Sequence, residues 1–186
     1  MLRPFRVERI DPMAYIEAAK ALGFTDAVSI DAELVQCEES IRALCAPDKC
    51  GNYGSSWICP PGCGSIESCR KIVDGYKNAI LVQSMSENVD FSNGEEMLNI
   101  TKAHNELAVK LFKQIRKEQG SAYLLTTGGC GLCEECTFPD EPCRIPDKNR
   151  GSLSAFGINV TKLCEKAGME FSFANGIMRM MACILY

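Results

Sequence analysis

The apolar positions of this chain fall into a series of short, well-punctuated segments. Asp11-Pro12 opens a helix, with Asp as N-cap and Pro in the first turn; Met13, Ile16 and Leu22 give it an apolar side and Gly23 ends it. Residues 26–32 alternate as a short strand does. Residues 66–76 read as a helix, and Ala79-Ile80-Leu81-Val82 is a continuously apolar run, the pattern of a buried strand. A long helix is predicted over 95–119, with Met97, Ile100, Leu107, Leu111 and Ile115 on one face and Gly120 after it. Residues 122–127 form the next buried strand, which runs straight into Gly128-Gly129-Cys130. A further helix is expected from Ser152 or Ser154 to Ala167, closed by Gly168. Finally, residues 169–186 place apolar runs on both sides of Asn175-Gly176, a dipeptide that supplies the positive φ values of a two-residue hairpin. The sum is a single α+β domain over 1–186: a mixed sheet of about five strands with packed helices and a C-terminal β-hairpin.

Two stretches escape these periodicities, residues 37–69 and 128–150. Both are rich in cysteine, glycine and proline, and Pro60-Pro61-Gly62 excludes regular structure in the first. Something other than a backbone ladder must organise them. A chain of 186 residues can bury a core without disulfide staples, so its 12 cysteines are not needed for covalent stability. The charged, amphipathic start of the chain offers no apolar signal-peptide core, and a reducing cytoplasm is the expected setting. There, thiols read as metal ligands before disulfides. No stretch reaches the roughly 18 to 20 apolar residues that span a bilayer. A net charge of −4 without a basic run gives no footprint for nucleic acid.

The later loop carries the sharper motif. Cys130, Cys133 and Cys136 stand at successive three-residue steps and Cys143 follows beyond Pro139 and Pro142. Such an unbroken run can curl around one cubane cluster, whereas zinc usually takes two separated cysteine pairs. The fourth cysteine departs from the bacterial ferredoxin pattern, which brings it after three residues and follows it with proline. In the earlier loop, Cys45, Cys50 and Cys59 are flanked by glycines and prolines that let the backbone approach a cluster closely. Cys69 is the expected fourth ligand, at the start of a helix whose amides favour negative charge; Cys63 competes with it and Cys37 stays open. Cys164 and Cys183 lie among apolar neighbours and read as structural.

Three pieces of the chain together are similar to a known family. They are Cys50-Gly-Asn-Tyr53-Gly54-Ser-Ser-Trp57-Ile-Cys59-Pro60-Pro61, Tyr76-Lys-Asn-Ala-Ile-Leu-Val-Gln83, and Gly129-Cys130-Gly-Leu-Cys133-Glu-Glu-Cys136 with Cys143-Arg144 downstream. The chain resembles, over nearly its whole length, the cysteine-rich predicted metal-binding family called domain of unknown function 2284. The resemblance implies bound metal, iron–sulfur above all, in a family frequent in anaerobic bacteria and archaea. It implies no particular reaction.

The remaining residues add less. His104, the sole histidine, sits on the apolar stripe of the long helix and reads as a core-edge residue before a proton donor. Arg144, Lys148 and Arg150 form either a solvated basic loop or a group that tunes a cluster. Trp57 and Tyr53 are expected to shield a cluster from water, and Met178, Met180 and Met181 to pack in the core. No phosphate loop, Ser-His-Asp set or His-Glu metallohydrolase motif is present, and no catalytic residue is assigned. The expectation is a protein with two [4Fe-4S] clusters on Cys45, Cys50, Cys59, Cys69 and on Cys130, Cys133, Cys136, Cys143, working with a redox partner protein in electron transfer. A zinc-stabilised interaction module and an enzyme with an open-site cluster are the alternatives.

Overall fold

The computed structural model describes residues 11–130, 133–145, 150–172 and 176–186. Helix α1 (Pro12–Leu22) is capped by Asp11, whose carboxylate accepts the Met13 N–H at 3.0 Å. Strand β1 (Asp26–Asp31) follows. A four-residue helix α2 (Glu39–Arg42) and a 3-10 turn (Ala43–Cys45) then lead into the first cysteine loop, which ends at α3 (Ile66–Val73). Next come β2 (Asn78–Ser86), the long helix α4 (Gly94–Gln119) and β3 (Tyr123–Thr126). The second cysteine loop is followed by β4 (Arg150–Ser152), α5 (Val160–Lys166) and β5 (Met178–Leu185). The fold is α+β, as the sequence predicts.

The five strands form one mixed sheet in the order β1-β2-β5-β3-β4, in which only the β3–β4 pair is parallel. Its central strands are apolar on both sides because both faces are covered. Ile80, Val82, Ala182 and Ile184 point to the layer of α1 and α4, against Tyr15, Ala19, Leu111 and Ile115. Ala79, Leu81, Cys183 and Leu185 point to the opposite core, with Cys69 and Val73 of α3, Leu163 of α5 and Phe156. The buried stripe of α4 is His104, Ala108, Leu111, Phe112 and Ile115, while Met97, Ile100 and Leu107 are half-buried at its margin. Among the described residues no helix is long and apolar enough to cross a membrane.

Two local expectations change. The helix expected from Ser152 or Ser154 begins only at Val160, where the Asn159 side chain accepts the Lys162 N–H at 3.1 Å. Ser152 is consumed by β4, whose parallel register with β3 pairs it with Thr126, and Gly157 has a φ of +73° that no helix accommodates. Of the C-terminal hairpin, the second arm is β5, and residues 169–172 take no strand assignment. They are tied to the sheet by side chains instead: Gln83 donates to the Glu170 carbonyl at 2.8 Å and Arg179 to the Ser172 carbonyl at 3.2 Å. Asn175 of the expected turn lies outside the described residues.

Candidate metal centre

The two cysteine loops meet. The Trp57 ring stands edge-on to Phe138 with centroids 5.0 Å apart, a Cβ on Gly62 would run into Phe138, and one on Gly129 would run into Asn52. Tyr123 of β3 and Arg150 of β4 lie beneath them and are tied together by the Tyr123 hydroxyl, which donates to the Arg150 carbonyl at 3.1 Å. Thus the two loops approach each other over the sheet edge formed by β3 and β4.

In the first loop, Cys45, Cys50, Cys59, Cys63 and Cys69 all carry free thiols. Four of them feel one another. Burial pushes Cys45 up, reinforced by negative charge on Cys50 and Cys63; burial also pushes Cys59 up, reinforced by Cys50, Cys63 and Cys45. Cys69 is joined to that set through Cys63. It is fully buried in the α3 side of the core, and its backbone N–H is already used by the Ser65 carbonyl at 3.1 Å. Its thiol donates toward Cys63, which lowers Cys63 and raises Cys69, an arrangement in which the pair keeps one proton on Cys69. Cys63 and Cys69 are thus both candidates for the fourth place beside Cys45, Cys50 and Cys59.

Arg42 was not singled out by the sequence, and nothing about a lone arginine in Glu-Ser-Ile-Arg-Ala-Leu-Cys would have marked it. Its guanidinium donates to the Ala155 carbonyl at 2.9 Å, to the Gly64 carbonyl, and to the Cys69 sulfur at 3.5 Å. Burial works against this cation, but the negative charge of Cys63 and the hydrogen bonds to the Cys63 and Cys69 sulfurs outweigh it and keep the guanidinium charged. It is a fixed positive charge behind a set of thiols, which favours an anionic metal centre there.

Cys130, Cys133, Cys136 and Cys143 are all half-buried around the second loop. The turn is held by Thr137, whose hydroxyl donates to the Pro142 carbonyl at 3.0 Å, and by Arg144, which donates to the Glu135 carbonyl at 3.0 Å. Lys148 lies outside the described residues. Arg150 belongs to no solvated loop: it is 4% exposed, and Nη2 reaches the Cys130 carbonyl at 3.3 Å. Among the described residues no three His, Cys, Asp or Glu side chains are gathered around a single-ion position. The fit to metal rests instead on donor chemistry: two loops, each with four or more thiols, backed by Arg42 and Arg150. Thiolates of this kind hold iron–sulfur clusters or zinc.

Cys164 and Cys183 are buried in the core. Burial pushes Cys164 up to about 11 and Cys183 to about 12, so both stay protonated inside the core. Burial likewise raises Cys37 to about 11, and its backbone bridges Ile158. Trp57 is placed to shield the first loop, whereas Tyr53, 43% exposed, covers little. Met180 and Met181 are core residues and Met178 is half-buried.

His104 is a core residue. Its Nδ1 shares a hydrogen bond with the Ser84 hydroxyl at 2.9 Å and its ring abuts Phe24, with centroids 5.5 Å apart. Burial pushes it from 6.5 down to about 4, with the Met181 backbone working the other way. The unfolded chain therefore binds this proton more readily than the folded one. The associated stability is complete above pH 6.5 and is lost as pH falls toward 4, by about 3 kcal/mol in all. His104→Gln, which keeps reach to Ser84 but does not titrate, should show a markedly smaller drop in melting temperature between neutral pH and about pH 4.5 than the parent.

Neither a curated protein nor a solved structure matches the chain. A family profile described as predicted metal-binding protein (DUF2284) matches residues 28–186, a span that includes both cysteine loops and the whole sheet apart from the start of β1. The chain therefore belongs to the DUF2284 family of predicted metal-binding proteins.

Proposed function

We propose that this protein holds two [4Fe-4S] clusters, one on Cys45, Cys50, Cys59 and either Cys69 or Cys63 and one on Cys130, Cys133, Cys136 and Cys143, and passes electrons between a redox partner protein and its own second cluster. The single observation that carries the reading is the contact of the two cysteine loops through Trp57 and Phe138, which sets two thiol-rich sites side by side on one sheet edge. Neighbouring one-electron centres make a relay, and a relay needs a donor or acceptor protein at its open end. The chain's own contribution would be to tune potential: Arg42 and Arg150 supply positive charge, and Trp57 and Phe138 exclude water.

The test is the content of iron, zinc and acid-labile sulfide per chain after purification without oxygen, with visible spectra before and after dithionite. The expected result is about eight iron and eight sulfide with a brown colour that bleaches. Stoichiometric zinc in a colourless protein would remove electron transfer and leave a zinc-stabilised interaction module.

A further inference from the structure

Phe91 and Leu98, 49% and 66% exposed, stand at the N-terminal end of α4 and belong to neither core. We propose that this helix end, with the acidic flank of the second cysteine loop, is the docking face for a partner protein that presents an apolar centre ringed by lysine or arginine. That the partner is itself a one-electron redox protein rests on the electron-transfer reading above.

Local turns build the face. The Asn93 side chain accepts the Glu96 N–H at 3.2 Å, and the Glu96 carboxylate reaches back to accept the Asp90 N–H at 3.4 Å, which folds residues 90–93 against the first turn of the helix. Phe91 is thereby held at the helix end while its neighbour Val89 is buried. Glu95 and Glu96 also suit the positive end of the helix dipole, so α4 itself accounts for two of the acids here. It accounts for neither Phe91 nor Leu98. Large apolar side chains exposed near one another and rimmed by charge mark a surface that another protein covers.

Charge says what kind of partner fits. Residues 87–98 hold Glu87, Asp90, Glu95 and Glu96 and no lysine or arginine, a charge of −4. Residues 133–145 hold Glu134, Glu135, Asp140 and Glu141 against Arg144, a charge of −3. The two stretches together carry −7 where the whole chain carries −4, so the rest of the chain is +3. None of these eight acids is in an ion pair among the described residues. A field of this kind steers a basic partner in and repels an acidic one. It also disfavours a second copy of this chain, because two-fold pairing would set like charges together. The two stretches adjoin: a Cβ on Gly128, at the head of the second loop, would stand 3.5 Å from the Thr101 side chain, one turn beyond Leu98. A partner seated here lies beside the second cysteine loop.

The probe is cytochrome c, a basic one-electron haem protein. Its oxidised form is titrated by calorimetry into the full, metal-loaded chain at about 0.01 M and about 0.15 M salt, between which the Debye length falls from ~30 Å to ~8 Å. Haem reduction is then followed after the chain has been reduced and freed of dithionite. Saturable binding that weakens with salt is the expected result. The Phe91→Ser/Leu98→Ser pair should weaken it roughly tenfold, with melting temperature and metal content unchanged. Glu87→Gln/Glu95→Gln should slow association and flatten the salt dependence, whereas Glu17→Gln/Glu165→Gln, the same change of net charge on exposed residues of α1 and α5, should behave as the parent. Three results would overturn the proposal: no saturable binding at low salt, a Phe91/Leu98 pair that binds as well as the parent, or a Glu17/Glu165 pair that weakens binding as much as Glu87/Glu95. Binding that answers to these variants without haem reduction would overturn the electron-transfer reading alone and leave the docking face standing.

Discussion

Cys136→Ser is expected to leave the protein folded with about half its metal, as one of two cubanes is lost. Serine is nearly the size of cysteine, but its hydroxyl does not ionise near neutral pH and is a poor partner for a soft metal centre. Cys133→Ser should act in the same way. Cys59→Ser should remove the other half, since Cys59 lies in the first loop, within electrostatic reach of Cys45, Cys50 and Cys63. Each loop also has its own internal ties, Thr137 to Pro142 in the second and Arg42 to Gly64 and Ala155 around the first. The two losses should therefore be independent. Metal and sulfide per chain in the single variants and in the Cys59→Ser/Cys136→Ser pair decide it, with the pair expected to be metal-free. Unchanged metal in Cys136→Ser would sink the second site; complete loss in either single variant would show that the Trp57–Phe138 contact makes the loops one cooperative unit.

Cys63→Ser and Cys69→Ser, read by the same metal and sulfide content, separate the two candidates for the fourth ligand of the first loop, since only the true ligand's loss should remove about half the metal. In the sequence the two are equivalent candidates, and the helix that begins nearby favours Cys69. In the fold Cys69 is buried in the core cluster that holds Val73 and Leu125, and its thiol is hydrogen-bonded to that of Cys63. Local pattern was enough for the elements with a strong period. Residues 79–82 could be read as a buried strand because both faces of the sheet are covered, and 95–119 as a helix because its apolar stripe is long and capped by Asn93 and Gly120. Pattern failed where a tertiary partner decides. Gly151 belongs to β4 because Leu125 lies beside it in parallel register and Phe156 closes over it, and a three-residue edge strand leaves no periodic signal of its own. Arg150 looked like one of three loop cations, and its burial depends on β3, Tyr123 and the returning second loop. Arg42 finds its acceptors 22 and 113 residues away in the chain, beyond any local reading.

Those long-range ties predict the largest loss of stability at a position with no side chain at all. Gly157 has a φ of +73°, and a Cβ there would collide with the Glu38 carbonyl and stand 2.9 Å from Ile66 Cδ1. The backbone cannot retreat easily: Glu38 donates its N–H to the Gly157 carbonyl at 2.8 Å, and the adjacent Cys37 and Ile158 form a bridge. Gly157→Ala adds a left-handed penalty of about 1–2 kcal/mol to an overpacking cost of about 1–3 kcal/mol. For a chain of this length that corresponds to a fall in melting temperature of roughly 10 °C. Gly168→Ala is the control, with a φ of +69° and open space around the added Cβ, and should lose only roughly 3 °C. The contacts that Gly157 would displace are those that seat both ends of the first cysteine loop: Glu38 precedes α2 and its Arg42, and Ile66 opens α3. Gly157→Ala should therefore also lose metal from the first loop before the second, whereas Gly168→Ala should keep both. If the two variants melted together with equal metal content, the 37–38 to 157–158 strut would not be what holds the first site in place.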